Sequence, residues 1–217
     1  MKWEHESLHQ LNSKGWIEFS SSTDDDILVD LSKKIGEIIV HPNGNYIDYL
    51  KPKNKEEATK NTFSYNFELD KFPFHTDTAF WELPARFVLL SCENKSDTGT
   101  TFVTFNDIYK DLTSLEISEL RKSIFLIKTT TKNFYTSFLN KHLNQEFIRF
   151  DSNCMKPVNK SAKTTLEIID EKLNKLAINK ITWDKPKVFV FDNWKILHGR
   201  ESVKNNENRI LKRIYIK

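Results

Sequence analysis

His75 and Asp77, in the stretch Phe72 to Trp81 (FPFHTDTAFW), are the residue types at the spacing best suited to chemistry in this chain. In an extended strand, side chains at i and i+2 leave the same face, so an imidazole and a carboxylate would stand side by side. That pair is two thirds of a metal site. A second histidine late in the chain, His198, would complete a 2-His-1-carboxylate facial triad. Such a donor set leaves adjacent positions on a non-haem Fe(II) open for a cosubstrate and dioxygen. With six histidines in the chain the spacing alone is unspecific, and its plain alternative is a satisfied histidine beside a strand-edge acid.

A rival metal motif lies near the N-terminus. His5-Glu6-Ser7-Leu8-His9 matches H-E-x-x-H, in which two histidines one helical turn apart bind zinc and the glutamate activates water, as in a zinc metallopeptidase. No third ligand follows in the metzincin pattern, and a catalytic helix has to be buried whereas chain ends are usually peripheral. A surface helix with two solvent-facing histidines is the plainer reading.

The elements that must position these residues follow from composition and pattern. With 217 residues, 38% hydrophobic, 16 Phe and 5 Trp, the chain can fill a core, and one domain over 1–217 is expected. Its 33 basic and 30 acidic residues give +3 and are interleaved, which offers no electrostatic case for nucleic acid. Cys92 and Cys154 do not suggest a disulfide framework and suit a reducing cytosol. With no membrane-length apolar run and a charged start, the reading is a cytoplasmic protein without a membrane partner.

Along the chain, residues 3–13 read as a helix stopped by Gly15, and Trp16 to Phe19 as a short strand. Ser21 to Asp26 starts a second helix, whose apolar positions Ile27, Leu28, Leu31, Ile35 and Ile38 recur at helical spacing until His41-Pro42-Asn43-Gly44. Residues 51–62 are the most polar stretch and read as a loop. Arg86 to Cys92 reads as a strand, and Thr98-Gly99-Thr100-Thr101 as a turn into a strand at 102–104. Capping boxes at Thr113/Glu116 and Thr164/Glu167 predict helices over 114–122 and 165–177, with strands at Ile124 to Thr130 and Glu146 to Asp151 between them.

The last third supplies the missing parts. Val188 to Asp192 reads as a strand, Asn193 as a turn, Trp194 to Gly199 as a return strand carrying His198, and residues 201–208 as a polar loop into a final strand at Arg209 to Ile216. Arg209, Leu211 and Arg213 would share one face, so two guanidiniums would point where His198 points. A buried arginine pair needs anions, and a dicarboxylate that chelates iron at one end and accepts a bidentate guanidinium at the other meets that need.

FPFHTDTAFW, TGTT and DNWKILHGR followed by NRILKR resemble the taurine dioxygenase family of Fe(II)/2-oxoglutarate oxygenases, which includes relatives of γ-butyrobetaine hydroxylase and clavaminate synthase. Both arginines fall on the family pattern, eleven and fifteen residues after the distal histidine. The resemblance covers roughly residues 60–110 and 185–216 and hardly touches the middle. It implies a mainly β, α+β double-stranded β-helix (jelly roll) with outer helices. It also implies His75, Asp77 and His198 as iron ligands, Arg209 on the distal carboxylate of 2-oxoglutarate, and Thr101 sharing that carboxylate. Arg213 falls on a position used for the substrate anion or for the metal-bound end of the cosubstrate.

The cofactors implied are Fe(II), 2-oxoglutarate and O2. The partner is a small polar, anionic or zwitterionic molecule such as an amino acid or biosynthetic intermediate, whose unactivated C–H is oxidised with release of succinate and CO2. Related halogenases replace the carboxylate ligand with a small residue, so Asp77 implies hydroxylation rather than chlorination, with desaturation or ring closure also open. A non-catalytic jelly-roll binding module is the remaining rival, and its mark would be a broken triad. Phe72, Phe74, Phe80 and Trp81 can line a pocket or fill the sheet interface, and Trp194 and Arg200 flank His198 with the same ambiguity.

Overall fold

The computed structural model describes residues 2–41, 44–129, 132–204 and 208–217, with side chains from residue 6 onward. The chain opens with α1 (Lys2–Lys14), β1 (Trp16–Ser20) and α2 (Asp25–Ile35), then β2 (Ile38–Ile39), β3 (Asp48–Leu50) and α3 (Phe63–Phe67). β4 (Phe72–His75), β5 (Phe87–Cys92) and β6 (Ser96–Thr104) follow. Next come α4 (Phe105–Lys110), α5 (Ser114–Lys122), β7 (Phe125–Lys128), β8 (Asn133–Thr136), β9 (Leu139–His142), β10 (Gln145–Ile148), β11 (Met155–Pro157) and α6 (Lys160–Lys175). The last third holds β12 (Asn179–Trp183), β13 (Lys187–Asp192), β14 (Ile196–Arg200) and β15 (Leu211–Ile216).

Two antiparallel sheets face each other. The larger runs β1-β13-β5-β15-β2, with β3 also paired to β15, and the smaller runs β12-β6-β14-β4. Strands that lie next to each other in these sheets come from distant parts of the chain, which is the jelly-roll arrangement expected from the sequence. Between the sheets, Phe102, Trp183, Phe189, Phe191, Ile196 and Leu211 form an apolar layer. Each fully buried large side chain there contributes about 1.5–3 kcal/mol through the water it sheds. The Trp183 indole N–H is satisfied by Thr100 Oγ1 at 3.1 Å.

Alternation along the strands sets the other two layers. β5 and β13 carry Leu89, Val188 and Val190 on their outer face, where they meet Leu11 and Leu28 of the two N-terminal helices. β6 and β14 carry Val103 and Leu197 outward, where they meet Ile108, Leu120, Phe125, Ile127 and Ile169 of the segment between β6 and β12. The site-bearing sheet is therefore packed on both faces, and among the described residues no helix is long and apolar enough to cross a membrane.

Several expected boundaries move. α2 stops at Ile35, and Ile38 belongs to β2, which pairs with Tyr215 and Ile216. A Cβ on Gly36 would lie 2.2 Å from the Lys217 carbonyl oxygen, so the close approach of that backbone requires glycine where the helix ends. The stop expected at Pro42 and Asn43 lies outside the described residues, as do Thr130 and residues 205–207 of the 201–208 loop.

Residues 98–101 form no turn but run through the middle of β6. α6 starts at Lys160 with Asn159 as its N-cap, accepting from the Ala162 N–H, rather than at Thr164; the Thr113/Glu116 capping box forms as expected. Arg209 precedes β15 instead of lying on it. Cys92 and Cys154 are free thiols.

Candidate metal centre

His75 and His198 are direct cross-strand partners on β4 and β14. Partners in an antiparallel pair point to one face, so the two imidazoles converge, with ring centroids 4.3 Å apart. The pairing register shifts between His198 and Arg200, and Pro73, which has no N–H for the ladder, sits in the β4 segment facing that shift. The Pro73 carbonyl lies 2.9 Å from His75 Nδ1, so Nδ1–H donates there and Nε2 is the ring nitrogen turned to the centre of the site. A Cβ on Gly199 would lie 2.7 Å from the Phe72 carbonyl oxygen, so only glycine lets β14 approach so closely beside His198.

Asp77 is placed by Asn193, which is wholly buried at the β13–β14 turn. Its Oδ1 accepts from the Asp77 N–H at 2.7 Å, and its Nδ2 donates to the Asp77 and Ala85 carbonyls at 3.0 and 2.8 Å. We expect Asn193→Ala to cost about 3 kcal/mol, because three buried backbone groups lose their partner at once. Denaturant unfolding checks the loss, and a parallel drop in metal affinity would show that the turn also aims Asp77.

Arg149, 2% exposed, fixes the chain just beyond. Its Nη1 donates to the Ala79 and Trp81 carbonyls at 2.5 and 2.6 Å, and its Nη2 to that of Glu82 at 2.8 Å. Burial pushes this guanidinium down to about 10, still charged at neutral pH.

His75 Nε2 lies 3.7 Å from Asp77 Oδ1, and His198 Nε2 lies 3.9 Å from Asp77 Oδ2. All three donors fall within 4.8 Å of one another, the one such metal-capable group among the described residues. Donors about 2.1 Å from a shared ion lie at most about 4.2 Å apart, which both distances to Asp77 satisfy. Burial opposes the Asp77 charge, but Arg213, with Nη1 at 3.1 Å, holds the carboxyl well below the usual carboxylate range. Burial first and His75 second push His198 down to about 3, so it stands as a neutral donor. Two imidazoles and one carboxylate make up the donor set of a facial triad, and that donor chemistry suits Fe(II).

Arg213 bridges two acids. Nη1 donates to both Asp77 oxygens at 3.1 and 3.3 Å, and Nη2 to Asp48 Oδ2 at 2.8 Å. Asp77 can give one oxygen to a metal while Arg213 steadies the other. Arg209, 5% exposed, donates from Nη2 to Thr100 Oγ1 at 3.5 Å. On β6, Thr100 is two residues from Phe102, the cross-strand partner of His198, and shares its face. Arg209 thus contacts the inner face of the smaller sheet about 7 Å along the strand from the His198 level, a span suited to a five-carbon dicarboxylate.

Thr101 does not share that position. It pairs with Gly199 on the opposite face, and its buried Oγ1 has no hydrogen-bond partner among the described residues. The threonine beside Arg209 is Thr100. Thr101 instead lines an open groove of about 520 Å³ with Lys71, Lys180 and Glu201, away from the three metal donors.

Arg200 is also committed elsewhere. Its Nη2 donates to the Glu68 and Asp70 carbonyls, each at 2.7 Å, and its guanidinium lies 3.5 Å from the Phe72 ring centroid. Phe74 belongs to the outer apolar layer, Trp194 packs on Phe147, and Phe80 is exposed. Trp81 meets Tyr215 edge to face at 5.5 Å. Of the rival motif, Glu6 and His9 are exposed on α1, and the His5 side chain lies outside the described residues.

No family model and no curated protein matches the chain. Solved structures do. An asparagine oxygenase in complex with Fe(II), (2S,3S)-3-hydroxyasparagine and succinate superposes with a TM-score of 0.80 at 15% identity, over 99% of this chain and 79% of that one. PvcB from Pseudomonas aeruginosa gives 0.74 at 19% identity over 98% and 79%. The non-haem iron oxygenase OrfP, as a mutant with (3S)-hydroxy-L-Arg, gives 0.77 at 14% identity over 100% and 80%. The chain has the fold of these oxygenases.

Proposed function

We propose that this chain is an Fe(II)- and 2-oxoglutarate-dependent oxygenase that hydroxylates a small amino-acid-like molecule, with His75, Asp77 and His198 holding the metal. The observation that carries the reading is the cross-strand pairing of His75 with His198, with Asp77 pinned between them by Asn193 and Arg213. The bound ion would supply oxidation of an unactivated C–H coupled to decarboxylation of 2-oxoglutarate by O2, yielding succinate and CO2. The residues do the rest. Arg209 and Thr100 receive the distal carboxylate, Arg213 steadies Asp77 and faces the incoming substrate, and the apolar layer behind His198 excludes water.

An amino-acid substrate accords with the hydroxyasparagine and hydroxyarginine bound by two of the neighbours. A non-catalytic module has less support because every ligand position is filled, and a peptidase less still because Glu6 and His9 face solvent.

The test is an anaerobic titration with Fe(II) and 2-oxoglutarate, followed by admission of O2. A weak visible charge-transfer band that needs both components, and succinate release on O2, are expected. A protein that binds Fe(II) yet gives neither would sink the reading.

A further inference from the structure

Asp48 is an acid at this site to which no part of that reaction gives a task. β3 places it directly opposite Arg213 in the ladder, and its Oδ2 takes Arg213 Nη2 at 2.8 Å. The same oxygen lies 3.7 Å from His41 Nε2. The Asp48 and Arg213 side chains are 23% and 18% exposed, against 6% for Asp77. The pair is therefore more open to solvent than the ligand it borders. Tyr215, stacked on His41 and edge to face with Trp81, is an aromatic neighbour under the Arg213 guanidinium.

Charge decides what such a pair can receive. With Asp77 shared between a dication and Arg213 Nη1, the two more exposed residues present one guanidinium and one carboxylate in contact. A simple anion drawn to Arg213 would meet the Asp48 carboxylate on the same guanidinium. A molecule carrying a carboxylate and an ammonium on neighbouring atoms matches both ends, each charge finding its opposite.

We propose that Asp48 is a specificity-determining residue that receives the ammonium group of a zwitterionic amino-acid substrate whose carboxylate is held by Arg213. The assignment rests on the oxygenase reading and narrows it. Anions lacking the amino group are disfavoured.

The test titrates the anaerobic Fe(II)–2-oxoglutarate protein with the common L-amino acids and, for each that responds, its des-amino carboxylic acid. Change in the visible charge-transfer band reports binding without turnover. In the wild type at least one amino acid is expected to half-saturate about tenfold or more below its des-amino partner, since a site built to bond an N–H rejects the analogue that lacks it. Asp48→Asn should abolish that preference, and Asp48→Glu should restore part of it.

If Asp48 only aimed Arg213, Asp48→Asn would weaken both compounds together and leave their ratio unchanged; that result overturns the proposal. So does silence of every amino acid on a protein that forms the band. Failure to form the band falls on the oxygenase reading itself and takes this assignment with it.

Discussion

Arg209→Ala is expected to weaken 2-oxoglutarate binding by about two to three orders of magnitude while leaving Fe(II) affinity within a factor of a few. Arg209 is buried and contacts the inner-face Thr100, one same-face step along β6 from the level of His198. Its loss would leave a cosubstrate carboxylate buried without its cation, a cost of about 3–4 kcal/mol. Arg200 is held elsewhere, its Nη2 donating to the Glu68 and Asp70 carbonyls.

Arg209→Lys keeps the charge without the fork and should fall between the two. Thr100→Val should lose about tenfold or less, and Thr101→Val, on the other face of the sheet, should leave the affinity unchanged. Calorimetric titration of the Fe(II) protein under nitrogen measures all four. Unaltered 2-oxoglutarate affinity in Arg209→Ala would remove this residue from the site.

Asp77→Ala should cost about a hundredfold or more in Fe(II) affinity and most of the turnover. Asp77 is the one anionic donor of the triad, 5% exposed and facing both histidines. Its removal also leaves Asp48 as the remaining carboxylate partner of Arg213 among the described residues. A carboxylate on the metal neutralises part of the ion's charge and fills the position that chloride would need. With excess chloride the wild type is therefore expected to yield oxygenated or dehydrogenated product only. Mass spectrometry of the products checks this. Chlorinated product from the wild type would refute the ligand assignment, as would full activity in Asp77→Ala.

That His75, Asp77 and His198 come together was legible in residue type and spacing. Strand alternation is only part of the reason, since β4 ends at His75 and β15 begins at Leu211, so Asp77 is aimed by Asn193 and Arg209 reaches Thr100 from outside the strands. That Thr100 rather than Thr101 meets Arg209 is a matter of strand register. Reading residues 98–101 as a turn left the register of β6 open by one residue, and one residue inverts the face.

α2 was overextended because Ile38 keeps helical period, while the Lys217 backbone that crowds Gly36 is remote in sequence. Asn193 and Arg149 left no signal at all. Each acts by binding main-chain carbonyls far along the chain, and carbonyls are the same at every residue. Asp48 was hidden in the same way, its partner being known only once β3 is paired with β15.

The interleaving of strands also bears on how the molecule comes to fold. β1 is held by β13, residues 16–20 against residues 187–191, and β15 must enter between β5 and β2. Such distant pairings carry a large loop-closure entropy and place the chain among slow folders, in the millisecond-to-second range or beyond. The segment between β6 and β12 pairs locally, β7 with β8 and β9 with β10, and can order first. His198, Arg209 and Arg213 all arrive with the late strands, so His75 and Asp77 alone face solution metal until the sheets close. During synthesis the grouping of His75, Asp77 and His198 comes into being only after nearly the whole described chain has left the ribosome.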